Sequence, residues 1–190
     1  MSHRAAEPRR HRLSVADYYR MGEVGILPSD TRVELVDGEI IDMPPIGSRH
    51  AAIVDTLAKL LIRAVGDSGI VRTQGPIALG PHTEPLPDVA LLKPRAGGYF
   101  DAHPRPRDVL LVIEVADTSL AFDRDVKAPP YAAHDIPEFW LIAVESRRLT
   151  RNRDPLRGAY TRVDEPDLRA PLEVTALPAV RIDLSTLFTS

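Results

Sequence analysis

The sequence predicts an α/β (α+β) protein in which a mixed central β-sheet is flanked by helices and preceded by a β-hairpin. The hairpin is indicated by two β-rich runs around Asp37-Gly38. A long helix is indicated by helical spacing of apolar residues within 47–69. Two continuous apolar runs, at residues 87–94 and 108–117, are typical of strands that are covered on both faces.

The chain begins with a basic stretch, residues 1–12, for which we predict a disordered arm. The following "LSVADYYRMGE" predicts a short helix, with Ser14 as its N-cap. Since no linker is long enough to divide the rest, residues 13–190 are predicted to form a single domain. Its core spans about residues 30–150, and residues 151–190 form a trailing β segment.

The hairpin and the long helix have clear local signals. Asp37-Gly38 is a dipeptide favoured in type I′ turns, because both central residues of that turn need positive φ. The long helix is predicted to take Ser48 as its cap and to stop near Gly66 or Gly69.

The remaining segments complete the order of elements. Residues 70–80 predict a strand with a Gly-Pro bend, and the Pro-, Gly- and Arg-rich stretch 93–108 predicts a loop. Residues 119–136 predict a loop that leads into a short helix, and 138–154 predict a strand with its turn. The order is therefore helix, hairpin, helix, three strands, helix, strand and trailing β.

Composition excludes several classes of protein. The 190-residue chain is 44% hydrophobic, which is enough for a full core, and its net charge of −3 gives no overall attraction to nucleic acid. The absence of cysteine excludes disulfides, thiolate metal sites and thiol nucleophiles. No apolar run predicts a membrane span or a secretory signal, so we expect a cytoplasmic protein.

Two of the predicted strands each contain a carboxylate in apolar surroundings, Asp88 in the first and Glu114 in the second. A buried carboxylate is costly unless it is paired or binds a metal. Acids at the ends of adjacent strands can converge, and a hard cation such as Mg²⁺ removes their repulsion and can activate a bound water. An ion pair with an arginine and, for Asp88, a turn cap are the structural alternatives.

Three further residues are candidates by position. Glu39 lies just past the hairpin turn and Glu34 lies on the opposite strand, although both also fit ordinary exposed hairpin positions. His50 lies three residues before Ile53 in the long helix, so it should face inward with the apolar stripe, where a structural role is the alternative.

An ordered set of segments resembles the Uma2 family of restriction-endonuclease-like proteins, within the PD-(D/E)XK nuclease superfamily. The segments are "VELVDGEIIDMPP", "SRHAAIVDTLAKLL", "PDVALL", "VIEVADTS" and "DVKAPPYAAHDIPEFWLI". The resemblance spans about residues 12–150 and implies a restriction-endonuclease-like core with one divalent-metal site.

The resemblance also implies roles for individual residues. Asp88 and Glu114 match the two acidic metal ligands, whereas the superfamily's lysine, two residues after the glutamate, is replaced here by Ala116. Lys127 matches the place of the family's lysine in the following helix, where an ammonium can hold the attacking water. Tyr131 lies four residues further on, on the same helix face.

Two prolines follow Lys127 almost directly, at positions 129 and 130. Because proline is tolerated in the first turn of a helix and disfavoured inside it, the helix is predicted to begin near Ala128. Lys127 is then expected at the N-terminal edge of that helix.

The leading hypothesis is a Mg²⁺- or Mn²⁺-dependent endonuclease acting on DNA. Asp88 and Glu114 bind the metal and Lys127 positions the nucleophile, while Glu39 or His50 assists and Tyr131 contacts phosphate or packs. A catalytically silent binding or assembly module and a metal-dependent hydrolase of a small phosphate ester are the alternatives. A basic groove beside the acids would favour the nuclease. Absence of metal affinity would favour the silent module, and a closed, narrow pocket would favour the small-ester hydrolase. Analogy with dimeric nucleases adds the expectation of a homodimer.

Overall fold

A computed structural model describes residues 10–189 of the chain. The α-helices are α1 (Val15–Glu23), α2 (Ser48–Val65), α3 (Leu120–Phe122) and α4 (Ala128–Ala133), with short 3₁₀ turns at Gly66–Ser68 and Pro106–Asp108 and a π-helical turn at Asp123–Lys127. The strands are β1 (Val33–Val36), β2 (Glu39–Asp42), β3 (Ile70–Thr73), β4 (Val89–Leu92), β5 (Val109–Ala116), β6 (Glu138–Ala143), β7 (Arg148–Leu156), β8 (Ala159–Asp164), β9 (Leu172–Val174) and β10 (Leu177–Ile182).

A six-stranded sheet in the order β3-β4-β5-β6-β7-β8 forms the centre of the fold, and β1-β2 and β9-β10 form two separate hairpins. Only the β5–β6 pair is parallel, and the other neighbours in the large sheet are antiparallel. The helical segment from α3 to α4 is the crossover that this parallel pair requires. The mixed sheet flanked by helices confirms the predicted fold class.

The large sheet is covered on both faces, as the apolar runs predict. Ile53, Leu57 and Leu61 of α2 pack on one face of the sheet, together with the β9-β10 hairpin. Tyr131 of α4 belongs to a second apolar cluster that lies on the opposite face. Every residue of β5 is buried, and because side chains alternate along a strand, Glu114 points toward the α4 side.

The predicted hairpin is confirmed, including its turn. Asp37 and Gly38 both have positive φ, 50° and 81°, as a type I′ turn requires. Gly38 also lies against the N-terminal segment, because a Cβ there would be 2.6 Å from the Cβ of Arg12. The Arg12 side chain donates a hydrogen bond to the Asp37 carbonyl, so this part of the predicted arm contacts the hairpin. Residues 1–9 of the predicted disordered arm lie outside the described residues.

The predicted ends of the helices and of one strand are confirmed only in part. Ser14 caps α1 as predicted, with its hydroxyl oxygen accepting the Asp17 amide. The cap predicted at Ser48 is wrong by one residue, because Gly47 occupies the N-cap position of α2 and Ser48 begins the helix. The helix ends at Val65, with the predicted Gly66 as its C-cap at a φ of +50°. Of the strand predicted over residues 70–80, only β3 forms.

The helical crossover differs from the prediction in one respect that matters for the site. Helix α4 begins at Ala128 as predicted, but the π-helical turn and α3 precede it without a break. The Ala128 amide bonds to the Asp123 carbonyl, five residues back, and the prolines at 129 and 130 have no amide to donate. Lys127 is the N-cap residue of α4, as predicted, but the helical turn before it makes the segment continuous, and its side chain is buried.

Within residues 10–189, no helix is both long enough and apolar enough to cross a bilayer.

Candidate functional site

One cavity of about 190 Å³ lies where the first hairpin, the start of α2, β4, β5 and the π-helical turn meet. Its walls combine acidic, basic and apolar side chains. The lining residues are Arg32, Glu34, Met43, Pro44, Pro45, Ile46, Gly47, His50, Leu86, Asp88, Glu114, Val115, Asp117, Thr118, Ser119, Asp123 and Lys127.

Glu114 lies at the inner end of this cavity, on β5. Its Oε1 atom accepts a hydrogen bond of 2.7 Å from the Tyr131 hydroxyl and one of 3.2 Å from Lys127 Nζ. Both partners come from the helical crossover, four residues apart on one face. The carboxylate of Glu114 is thus held by an ammonium and a phenol, and the arginine expected in the alternative reading is not its partner.

Lys127 is the cation at the centre of the acidic cluster. Its Nζ also donates to Glu34 Oε1 at 3.0 Å and lies 3.8 Å from Asp123 Oδ1. Burial opposes a charged ammonium, but the carboxylates of Glu114, Glu34 and Asp123 outweigh it and raise the pKa of Lys127. Lys127 therefore carries its full positive charge at neutral pH.

Asp88 lies just before β4 and is held by two donors on one oxygen. Its Oδ2 atom accepts the Val115 amide at 2.8 Å and lies 3.0 Å from His50 Nε2. The hydrogen bond with Asp88 raises the pKa of His50 despite its partial burial. Because α2 begins beside the cavity, His50 reaches Asp88 from the first turn of that helix.

The acids around Lys127 do not have ordinary affinities for protons. Burial raises the pKa of Glu34, Glu114 and Asp123, even though Lys127 lowers each of them. Burial and the neighbouring Glu114 carboxylate likewise raise the pKa of Tyr131, which stays a neutral hydrogen-bond donor. The cluster therefore holds more carboxyl groups than its cations balance, a state that a bound cation would relieve.

Asp88 and Glu114 offer the oxygen ligands that a hard divalent cation prefers. Within residues 10–189, the side-chain hydrogen bonds of both acids use one oxygen, Oδ2 of Asp88 and Oε1 of Glu114. Oδ1 of Asp88 and Oε2 of Glu114 are thus left for a ligand. Among these residues no three His, Asp or Glu side chains are grouped so as to hold a metal by themselves. Carboxylate oxygens are the ligands that an ion such as Mg²⁺ prefers, and Mg²⁺ is commonly held by one or two carboxylates with water and substrate oxygens completing its shell.

The structure brings five of the six predicted site residues together. Asp88 with His50, and Glu114 with Lys127 and Tyr131, form two adjoining hydrogen-bonded groups. Their chemical roles stay predictions.

The structure does not bring Glu39, the sixth predicted residue, to the cavity. Its side chain on β2 is 65% exposed and lies 3.6 Å from Arg10. Glu39 pairs with Val36 at the turn end of the hairpin, beyond the pair of Glu34 with Ile41, so its position along the hairpin separates it from the cluster although it lies on the same face as Glu34.

Two acids of the cluster were not assigned a role from the sequence. Glu34 was a candidate by position that also fitted an exposed hairpin residue, but all four residues of β1 are buried. Asp123 lies four residues before Lys127, a spacing that could have indicated it, and its Oδ2 accepts the Ser119 hydroxyl at 2.5 Å.

The fold is an α+β architecture with a mixed six-stranded sheet, two acids near adjoining strand ends and a buried lysine at the start of the last crossover helix. A family model described as "Putative restriction endonuclease", Uma2, matches residues 15–185. The chain belongs to the Uma2 family, as the resemblance implies.

Comparison with solved structures agrees on the fold. Four chains match, and one of them is a crystal structure described as a putative nuclease belonging to DUF820 from Anabaena variabilis. That structure superposes with a TM-score of 0.70 at 14% sequence identity and covers 93% of this chain and 98% of its own. No curated protein matches the chain.

Proposed function

We propose that this protein is a divalent-metal-dependent nuclease that hydrolyses phosphodiester bonds in DNA. The observation that carries the proposal is the convergence of Asp88, Glu114 and Lys127 on one cavity, with one oxygen of each acid left open. Membership of a family whose model is described as "Putative restriction endonuclease" supports DNA as the substrate.

Asp88 and Glu114 would hold Mg²⁺ or Mn²⁺ through their open oxygens. When bound, such a cation polarises a phosphodiester and lowers the pKa of a coordinated water. The chain's own groups fix the two acids: the Val115 amide and His50 orient Asp88, and Tyr131 and Lys127 orient Glu114. Such support of ligating side chains is what holds a site in productive geometry.

Lys127 would contribute charge at the reacting phosphate. Its ammonium is buried and protonated. Contacts with three carboxylates hold it in one position, although a lysine side chain is otherwise flexible. Charge held in place before the reaction costs no reorganisation when negative charge develops on phosphate oxygens. Tyr131 hydrogen-bonds to Glu114 and is fully buried, so we assign it to positioning Glu114 rather than to contact with substrate.

The enclosure of the cluster favours a second candidate, a hydrolase of small phosphate esters. The side chains of Glu114 and Lys127 are each only 2% exposed, and the cavity holds about 190 Å³. A small ester or a splayed single strand can reach recessed groups of this kind with less rearrangement than a rigid duplex can.

The test measures hydrolysis of three substrates in Mg²⁺ and in Mn²⁺: supercoiled plasmid, a labelled single-stranded oligonucleotide and bis-p-nitrophenyl phosphate. We compare the parent protein with Glu114→Gln and with the control Glu145→Gln, an exposed glutamate. Glu114→Gln removes the ligand charge while it keeps the acceptor for Tyr131, so we expect a folded variant whose hydrolysis falls at least about a hundredfold.

The substrates separate the candidate functions. Cleavage of either DNA, lost with Glu114→Gln and retained with Glu145→Gln, supports the nuclease, whereas hydrolysis of the small ester alone supports the second candidate. A folded parent protein that hydrolyses none of the three would contradict both and support a silent binding module. If plasmid is cut on both strands, we propose a homodimer, which sedimentation velocity tests directly.

A further inference from the structure

The carboxylates that line the cavity repel any phosphate that enters it. Five carboxyl groups line the walls, belonging to Glu34, Asp88, Glu114, Asp117 and Asp123. The single charge of Lys127 is shared with three of these acids, so it cannot by itself offset the repulsion of all five. A substrate phosphate therefore needs a further attractive group on the wall, in addition to Lys127.

Arg32 is a cation on this wall whose charge is not neutralised by an acid. It lies directly before β1 and lines the cavity, and its side chain has no carboxylate within 4.0 Å among residues 10–189. Nearby Arg49 differs, because its guanidinium donates to Asp117 at 2.7 Å. Arg32 thus presents a net positive charge to the cavity, whereas Arg49 does not.

Hydrogen bonds fix where this guanidinium lies. The Arg32 carbonyl accepts the Met43 amide at 2.8 Å, which continues the hairpin ladder beyond β1. At the other end of the side chain, Nη1 donates to the Pro44 carbonyl at 2.7 Å. Of the five N–H donors of a guanidinium, this contact uses one, so the rest of the planar fork remains for an anion.

We propose that Arg32 is a phosphate-anchoring residue that binds a phosphate monoester or diester at the mouth of the cavity. A guanidinium fork matches two phosphate oxygens at once, which a lysine ammonium does not. The assignment of the bound phosphate to a substrate rests on the proposed hydrolase function, but anion binding by Arg32 does not require turnover or a metal.

The variant Arg32→Gln tests the contribution of the guanidinium to phosphate binding separately from its hydrogen bond to the Pro44 carbonyl. Glutamine keeps an N–H donor that can reach a carbonyl, but it loses the charge and the fork. The control Arg63→Gln removes the same charge from the last turn of α2, where Arg63 is exposed and far from the cavity. Arg32→Lys, the third variant, restores the charge without the fork.

The experiment titrates each full-length variant with inorganic phosphate, and separately with a short fluorescein-labelled single-stranded oligonucleotide and its duplex, in buffer that contains EDTA. Thermal unfolding confirms that each variant is folded. We expect Arg32→Gln to weaken phosphate binding at least about tenfold, Arg32→Lys to restore part of it and Arg63→Gln to change it less than about twofold. For a single strand that binds, the slope of log affinity against log salt should fall by about 0.7 with Arg32→Gln.

The outcomes are separable from those of the proposed function. Absence of phosphate binding by the parent protein, or equal weakening by the Arg32 and Arg63 variants, would overturn the anchor. Arg32-dependent phosphate binding in a protein that hydrolyses nothing would keep the anchor and refute the hydrolase. The duplex and single-strand arms show whether the anchor accepts phosphates of a paired or only of an unpaired strand.

Discussion

Lys127 shows how one residue can connect the stability of this protein to its chemistry. The chain has three lysines, Lys59, Lys93 and Lys127, whereas the rest of its Lys and Arg residues are arginines. A compact ammonium can approach several carboxylates at once, which a planar guanidinium does less easily. The contacts of Lys127 with Glu34 and Glu114 use this property.

We predict that Lys127→Met destabilises the protein by about 3 to 5 kcal/mol, because it leaves buried carboxylates without their cation. Lys59→Met is the matched control, since Lys59 is exposed on α2 and outside any ion pair among the described residues. Urea denaturation at neutral pH measures both. Equal stability of the two variants would show that the cluster gains nothing from the ammonium.

Glu114 should behave in the opposite way to its partner. Burial raises its pKa, which means that keeping its carboxylate ionised costs folding free energy. The loss of activity expected for Glu114→Gln should therefore come without a large loss of stability. Lys127→Met should therefore lower the free energy of unfolding, whereas Glu114→Gln should lower activity with little change in that free energy.

At the scale of single elements, the helical crossover is the feature that places the functional groups. The π-helical turn precedes two prolines that cannot continue the α-helical hydrogen bonds. Within it Asp123 and Lys127 are buried while Arg124 and Asp125 are exposed, so one face carries the groups of the site. π-Helical turns are frequent at functional sites, and this one lies beside the candidate catalytic cluster.

A second element depends on a buried acid outside the site. Glu138 of β6 is fully buried, and its two oxygens accept the Trp140 indole N–H and the Thr175 amide, each at 2.7 Å. Thr175 lies between β9 and β10, so Glu138 attaches that hairpin to the large sheet.

We predict that Glu138→Ala destabilises the protein by about 2 to 5 kcal/mol, because two buried donors lose their acceptors. Glu138→Gln, which keeps one strong acceptor, should cost clearly less. Urea denaturation followed by the fluorescence of Trp140, the only tryptophan, measures both. An alanine variant as stable as the glutamine variant would mean that water replaces the lost contacts.

At the scale of the whole molecule, the proposed metal site should be linked to global stability. An ion that binds only the folded protein stabilises it by about 2.7 kcal/mol at a concentration one hundred times its Kd. We predict that Mn²⁺ raises the Tm of the parent protein, that a chelator reverses the increase and that Asp88→Ala abolishes it. Asp30→Ala, at an exposed turn, is the control. The same rise in the Asp88 variant would locate the bound ion elsewhere.

The enclosure of the site is also a property of the whole molecule. The walls come from the first hairpin, α2, the central sheet and the crossover, which are distant in sequence. The contact between Lys127 and Glu34, for example, joins residues 93 positions apart. Unfolding of any of these elements should therefore open the cavity.

The sequence by itself determined the features that depend on local interactions. Positive φ at Asp37-Gly38 fixes the hairpin turn, the Ser14 cap starts α1, and apolar spacing identifies α2 and the buried strands. Asp88 and Glu114 were identifiable because an acid in an apolar strand needs a partner.

Only the tertiary structure decided which partners those acids have. It placed Glu34 and Asp123 beside Lys127, left Glu39 exposed and buried the lysine that was expected at a helix edge. These outcomes follow from how separate elements pack, and neither strand alternation nor helical spacing specifies which face meets which. Local chemistry therefore identified the candidate acids, whereas long-range packing set their environment, because burial and charge at each group come from residues far away in the chain.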